Sequence, residues 1–155
     1  MYGYVDGIDF RNMEAMKYWS FPKNYAHDKN QEIKNLIFSG DYYGALKVDG
    51  YYQRLECDED GNTMMIARNR NVKGEVVDKI EWVPQIKPLM DALPKGTVLL
   101  CEVYLPGDEG SRKITSLLGC LKDKCIARQE AGKKLHFYIF DICAWAGKSW
   151  MQYPA

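Results

Sequence analysis

Two nearly continuous apolar segments, Thr97–Leu105 and Leu135–Trp145, constrain the fold most strongly. Both are far too short to span a bilayer, and their length and content of aliphatic and aromatic residues are typical of buried β-strands. Each carries one carboxylate near its middle, Glu102 in the first and Asp141 in the second. Because burying a lone charge is costly, such residues usually line a cleft or meet a charged partner. The two segments therefore predict a sheet with either a polar cleft or ordinary buried ion pairs.

A third strand segment precedes these two and belongs to a predicted hairpin over residues 44–68. Leu46 and Val48 alternate with polar neighbours, which favours a strand from Gly44 to Cys57. The polar stretch from Asp58 to Asn62 contains an Asp-Gly turn pair, and Thr63–Arg68 is predicted to return as the second strand. Lys47 lies on the first strand of this hairpin.

Amphipathic helices are predicted between the strands. One covers Asn30–Ser39 and ends at Gly40; a second begins at Pro84; a third runs without a break over Arg112–Arg128 and ends before Gly132. The apolar stripes that define them comprise Ile33, Leu36 and Ile37; Ile86, Leu89, Met90 and Leu93; and Ile114, Leu117, Leu118, Leu121 and Cys125. Residues 1–28 have no clean period and are expected to form an irregular arm. The order hairpin, helix, strand, helix, strand predicts an α+β domain with a largely antiparallel sheet.

Composition narrows the function classes. The 155 residues suit one domain, so residues 1–155 are taken as a single unit. The net charge is zero, which removes the simplest argument for nucleic-acid binding, although residues 1–60 carry 7 basic and 11 acidic side chains and the remainder has the opposite bias. No secretory signal and no membrane span are expected, so the predicted location is the cytoplasm.

The five cysteines, an odd number with no CxxC pair, are predicted to be reduced thiols. A zinc site built from Cys120, Cys125 and either His27 or His136 is a more specific interpretation of the same residues, but it is the less favoured one.

Four short elements follow one another along these predicted strands. They are Lys47-Val-Asp49-Gly50, then Ala67-Arg68-Asn69, then Glu102 in its apolar strand, and finally Phe140-Asp141. Any one of them recurs by chance, but the ordered succession on predicted strands is much more specific. Over roughly residues 30–150 it resembles the adenylation domain of ATP-dependent DNA ligases, a group of covalent nucleotidyltransferases that also includes RNA ligases and mRNA capping enzymes.

The resemblance implies a fold, a reaction and a set of residue roles. The fold would be the nucleotidyltransferase domain of DNA ligases and capping enzymes, which is ATP-grasp-like, incomplete at its C-terminal side and without an OB-fold domain. Lys47 would attack the α-phosphorus of ATP to form lysyl-AMP, and AMP would pass to the 5′-phosphate of nicked double-stranded DNA before the strand is sealed. The implied ligands are the nucleotide for Asp49, Gly50, Arg54, Glu102 and Phe140; Mg²⁺ for Glu102 and Asp49; and DNA for Arg68 and Asn69.

The sequence departs from the family pattern at three places. Tyr52 stands where the family usually has arginine, and Arg54, two residues along, would point to the same face. Leu100-Cys101-Glu102 replaces the common Asp-Gly-Glu, and the later glutamate and paired-lysine motifs have no counterpart before Ala155. The expectation is therefore the N-terminal adenylation portion of a compact, phage-like monomeric ligase, with weak or absent ligation by this chain alone.

Three alternatives stay open at this point. The first is an RNA ligase or a capping-type nucleotidyltransferase, which would share Lys47 and differ in substrate. The second is a non-catalytic nucleotide- or DNA-binding remnant, and the third is a plain interaction domain in which the KxDG element is accidental.

Overall fold

The fold is built on a five-stranded antiparallel sheet. The computed structural model describes residues 4–10, 38–40, 48–107 and 111–151; residues 38–40 belong to one compact unit and the other ranges to a second. In this second unit the sheet has the order β4-β3-β5-β6-β7. Its strands are β3 (Tyr51–Cys57), β4 (Thr63–Ala67), β5 (Thr97–Tyr104), β6 (His136–Trp145) and β7 (Lys148–Ser149). The α+β class and the antiparallel sheet are thus confirmed.

The predicted hairpin is present, but its first strand is shorter than expected. Strands β3 and β4 pair from Gln53↔Ala67 to Cys57↔Thr63. Residues 48–50 lie outside β3 because its other neighbour, β5, pairs with it only as far as Tyr51↔Val103 and ends at Tyr104. The prediction of a strand from Gly44 was therefore wrong at residues 48–50, and Lys47 lies outside the described residues.

The turn of this hairpin is organised by the Asp58 carboxylate. It accepts hydrogen bonds from the backbone N–H groups of Asp60 and Asn62 and from the Asn62 side chain, at 2.8 to 3.0 Å. Burial acts to raise the pKa of the Asp58 carboxyl, but these hydrogen bonds outweigh it and the pKa lies below its ordinary value. Gly61 has a φ of +94°, a conformation that glycine adopts without strain. The Asp-Gly turn signal is confirmed.

The second predicted helix, which begins at Pro84, consists of a 3₁₀ turn followed by a short α-helix, and another 3₁₀ turn at Ile80–Trp82 precedes it. The 3₁₀ turn at Pro84–Ile86 leads into α1 (Lys87–Asp91), with Pro84 at its expected first position. Ile86 and Met90 are buried as predicted, whereas Leu89 is half exposed. Leu89 was therefore wrongly assigned to the buried face.

The third predicted helix is two helices, so the expectation of one unbroken helix was wrong. Helix α2 covers Ser111–Leu118 and α3 covers Lys122–Glu130. At the break, a Cβ on Gly119 would lie only 2.7 Å from the carbonyl oxygen of Thr115, and Leu121 has an extended ψ of 146°. The break turns the side chain of Leu121 outward, where it is 82% exposed instead of buried.

The two faces of the sheet are covered differently. The helices pack on one face, over a core that includes Leu55, Met65, Leu99 and Val103. A small hairpin formed by β1 (Tyr4–Val5) and β2 (Ile8–Asp9) belongs with the other face, because Val5 and Phe10 pack with Val98, Leu100, Cys143 and Ala144. Residues 4–10 are thus regular, contrary to the predicted irregular arm, while residues 11–28 lie outside the described ranges.

The two edges of the sheet are covered to different extents. Beyond β4, the backbone of residues 77–79 hydrogen-bonds to Ala67 and Met65, so that edge is covered. On the other side, β7 pairs only with Ala144 and Trp145 of β6. Two β-bulges interrupt the pairing of β6 with β5. Within the described ranges, no helix combines the length and apolar character needed to cross a bilayer.

Candidate functional site

Two of the predicted site residues in the described ranges, Arg54 and Glu102, share one face of the sheet. In the strand register Tyr52 pairs with Glu102 and Glu102 with Tyr138, while Arg54 pairs with Leu100 and Leu100 with Asp141. Paired residues of neighbouring strands project from the same face. We call the face that carries Tyr52, Arg54, Glu102 and Asp141 the polar face. Arg54 follows Tyr52 on this face, as the spacing predicted.

Gly50 lies directly against Glu102 at the start of β3. A Cβ added to Gly50 would lie 2.6 Å from the carbonyl oxygen of Val103 and 3.0 Å from Glu102 Oε2. Such distances leave no room for any side chain, so the position requires glycine for steric reasons and not for its dihedral angle. The KxDG element and Glu102, which are 52 residues apart in the sequence, are therefore brought together at Gly50, while Asp49 beside it is exposed.

Arg54 is buried in a polar network that the motif analysis did not anticipate. Its side chain forms an ion pair with Glu56, and its Nη1 donates a hydrogen bond to the carbonyl oxygen of Phe10 in the N-terminal hairpin. Arg54 is 3% exposed and Glu56 is 1% exposed. Burial raises the pKa of the Glu56 carboxyl, and the Arg54 guanidinium only partly opposes this. The alternation of polar residues at 52, 54 and 56 was the sequence signal that could have identified Glu56.

A cavity of about 30 Å³ opens beside Arg54 at the β3–β4 edge of the polar face. Tyr52, Arg54, Arg68 and Arg70 line it, together with small and apolar residues of β4 and the segment after it. Within the described part of the chain, Arg54 Nη2 and the Tyr52 hydroxyl have no hydrogen-bond partner although both atoms are buried. Burial raises the pKa of Tyr52 to about 12, so the phenol is neutral at pH 7. Asn69, which follows Arg68 in the sequence, is exposed.

Phe140 occupies a β-bulge of β6. Cys101 pairs with Ile139 and Leu100 with Asp141, so Phe140 is the extra residue between two successive pairs. Bulges re-aim side chains and are frequent beside active sites. The Phe140 ring is 40% exposed, and the Asp141 carboxylate accepts a hydrogen bond from the backbone N–H of Ile142 at 2.8 Å.

The described residues offer a second, larger cleft of about 450 Å³ away from the polar face. It lies between the β3–β4 turn and α1, and Asp78, Glu81, Trp82 and Asp91 are among its lining residues. Neither this cleft nor the cavity beside Arg54 is lined by Glu102 or Phe140. A purine-sized cleft shared by Lys47, Glu102 and Phe140 therefore stays a prediction.

A zinc site and a magnesium site, both suggested by the sequence, place different demands on the metal-ligating side chains. Among the described residues, no group of three His, Cys, Asp or Glu side chains is arranged to hold a metal ion. All five cysteines are free thiols, and His136 stacks in a tilted arrangement on Tyr104. A magnesium ion that is bound together with a nucleotide needs only one or two carboxylates, because the phosphates supply further ligands. Glu102, beside the segment that carries Asp49, fits that requirement.

Comparisons with protein-family models, with curated proteins and with solved structures found no match.

Proposed function

We propose that this chain belongs to the adenylation domain of an ATP-dependent DNA ligase with the nucleotidyltransferase fold. The observation that carries the proposal is the contact of Gly50 with Glu102. The resemblance assigns the KxDG element and Glu102 to one nucleotide site. They are distant in sequence, yet Gly50 of the first lies against Glu102 at a position that has no room for a side chain. Arg54 extends the same polar face, and Arg68 lines the cavity beside it.

The proposed chemistry begins with the Lys47 amine. Nitrogen attacks the α-phosphorus of ATP, a phosphorus–nitrogen bond forms, the bond to the bridging oxygen breaks, and pyrophosphate leaves while the amine loses its proton. The amine must be neutral to attack. At the ordinary lysine pKa of about 10.4, roughly 0.04% is neutral at pH 7, which corresponds to about 4.6 kcal/mol. A partly desolvated site with cations nearby lowers the pKa and removes much of this barrier.

The other residues of the site have supporting roles in the proposal. The backbone of Gly50 lets the nucleotide approach closely, Phe140 offers an apolar ring for stacking on the purine, and Arg68 with Asn69 contacts the DNA backbone. Glu102 and Asp49 would hold Mg²⁺, which neutralises phosphate charge when it is bound. In the second and third steps, the DNA 5′-phosphate takes AMP from Lys47, and the 3′-hydroxyl then displaces AMP. A monomer acting in the cytoplasm belongs to the same proposal.

The experiment that tests this function compares nucleotides and nucleic acids. Protein is incubated with Mg²⁺ and either ATP or GTP labelled at the α-phosphate, and covalent label is measured; labelled protein is then mixed with nicked DNA or nicked RNA. The proposal predicts label from ATP and its transfer to the 5′-phosphate of nicked DNA. Label from GTP would indicate a capping-type enzyme, transfer to RNA alone would indicate an RNA ligase, and noncovalent ATP binding without label would indicate a remnant.

A further inference from the structure

Two buried hydrogen-bond donors point to a ligand that the described residues do not supply. Arg54 is 97% buried, yet its Nη2 donates to no atom of the described residues, and the buried Tyr52 hydroxyl has no partner among them either. A buried polar group without a partner is costly, and a buried charged donor is more so. Both residues line the same cavity at the β3–β4 edge. An occupant of this cavity that accepts two hydrogen bonds would satisfy both.

The size and charge of the cavity limit what that occupant is. A volume of about 30 Å³ admits one or two oxygen atoms, and neither a ribose nor a base fits inside. Arg68 and Arg70 also line the cavity and are exposed, so three of the lining side chains carry a guanidinium group. Glu56 offsets the charge of Arg54 and holds its guanidinium together with the Phe10 carbonyl, which fixes the guanidinium within the sheet. An anion with several oxygens, one of which enters the cavity, matches these features.

We propose that Tyr52, Arg54, Arg68 and Arg70 form a phosphate-binding pocket in which one phosphate oxygen enters between Tyr52 and Arg54. The remaining oxygens lie at the mouth, next to Arg68 and Arg70. This assignment changes the role that the resemblance gave to Arg54, from a contact with the nucleotide cofactor to a contact with a separate phosphate, and it adds Tyr52 and Arg70, which had no role. Only the source of the phosphate rests on the proposed function: a terminal 5′-phosphate of a polynucleotide or a free phosphate ion.

The experiment uses the full chain and conservative variants. Tyr52→Phe removes one hydroxyl and keeps the ring, and Arg68→Gln removes one exposed charge at the mouth. Arg112→Gln, on α2 and away from the cavity, is the matched control for loss of an exposed arginine. Binding of inorganic phosphate is measured by calorimetry, and binding of nicked duplexes with a 5′-phosphate or a 5′-hydroxyl is measured at one salt concentration. Circular dichroism verifies that each variant is folded.

The pocket predicts that Tyr52→Phe and Arg68→Gln each weaken phosphate binding about tenfold, because each removes a hydrogen bond to a charged group, while Arg112→Gln has no effect. If the source is a polynucleotide, the wild type prefers the 5′-phosphorylated duplex and both variants lose that preference. If only inorganic phosphate binding falls, the source is the free ion. Unchanged binding of both ligands in both variants would overturn the pocket. If the wild type binds phosphate through these residues but forms no adenylylated protein with ATP and Mg²⁺, the proposed function is refuted and the pocket still stands.

Discussion

The buried pair of Arg54 and Glu56 makes the most demanding prediction about stability. Replacing Arg54 by methionine keeps much of the side-chain volume but leaves the Glu56 carboxylate, which is 1% exposed, without its cation. Breaking such a pair by removing one partner costs about 3–5 kcal/mol. With a urea m value of about 2 kcal/mol/M, the unfolding midpoint should fall by about 2 M. The double variant Arg54→Met/Glu56→Leu should recover most of this loss, because no buried charge remains.

Two controls test this prediction: the pH dependence of the stability of Arg54→Met, and the loss of an exposed ion pair elsewhere. Burial already raises the pKa of Glu56, so a folded Arg54→Met protein binds a proton more tightly than the unfolded chain does. The stability that protonated Glu56 contributes to this variant should therefore be fully present below the ordinary glutamate pKa and should be lost as the pH rises through the elevated folded value. Lys122→Met, which breaks the exposed pair with Glu81 at 2.9 Å, should lower the stability far less than Arg54→Met does, because both partners are solvated. The reasoning is refuted if Arg54→Met costs no more than Lys122→Met, or if the double variant is no more stable than the single one.

Three further predictions concern single positions. Gly50→Ala should cost about 1–3 kcal/mol by forcing a Cβ against the Val103 carbonyl, and should also lower adenylylation; Gly74→Ala, with a φ of +78° and open space around it, should cost about 1 kcal/mol and leave adenylylation unchanged. Gln53→Leu should stabilise the fold by about 1–3 kcal/mol in chemical denaturation, because neither amide atom of this fully buried side chain has a hydrogen-bond partner among the described residues; a loss of stability would contradict this. Burial, reinforced by Asp141, raises the pKa of the Cys143 thiol to about 12, so the unfolded thiol ionises first. The part of the stability that is due to Cys143 should therefore fall by about 1.4 kcal/mol between pH 8 and pH 10, and the total fall in chemical denaturation should be smaller by about that amount in Cys143→Ala.

The sequence predicted the sheet well because its strands carry strong local signals. Thr97–Tyr104 and His136–Trp145 are apolar runs, and the Asp-Gly turn sets the register of the β3–β4 hairpin. The prediction from the sequence failed where a single residue interrupts a helix whose apolar residues keep the helical spacing. Gly119 allows the close approach to Thr115 that ends α2, and the helical stripe over residues 112–128 gave no sign of this break.

The candidate site was predictable in its motifs and not in its supporting contacts. The family resemblance implied that Gly50, Arg54 and Glu102 contact one nucleotide, and the register places Arg54 and Glu102 on one face. Two features depend on long-range contacts instead. Phe10, 44 residues from Arg54, accepts its hydrogen bond, and the bulge at Phe140 arises from the pairing of β6 with β5. No local pattern encodes either one, since both require the strands to be assembled.

Mapping the attachment site of AMP tests the central claim most directly. The protein is incubated with Mg²⁺ and ATP labelled at the α-phosphate, digested under neutral conditions and analysed by peptide mass spectrometry. Lys47→Ala is compared with Lys73→Ala, which removes an exposed lysine of the loop after β4. The account predicts one adenylyl group on the peptide that contains Lys47, present in the wild type and in Lys73→Ala and absent in Lys47→Ala. No adenylyl group on the wild type, or an equal amount on Lys47→Ala, would contradict it.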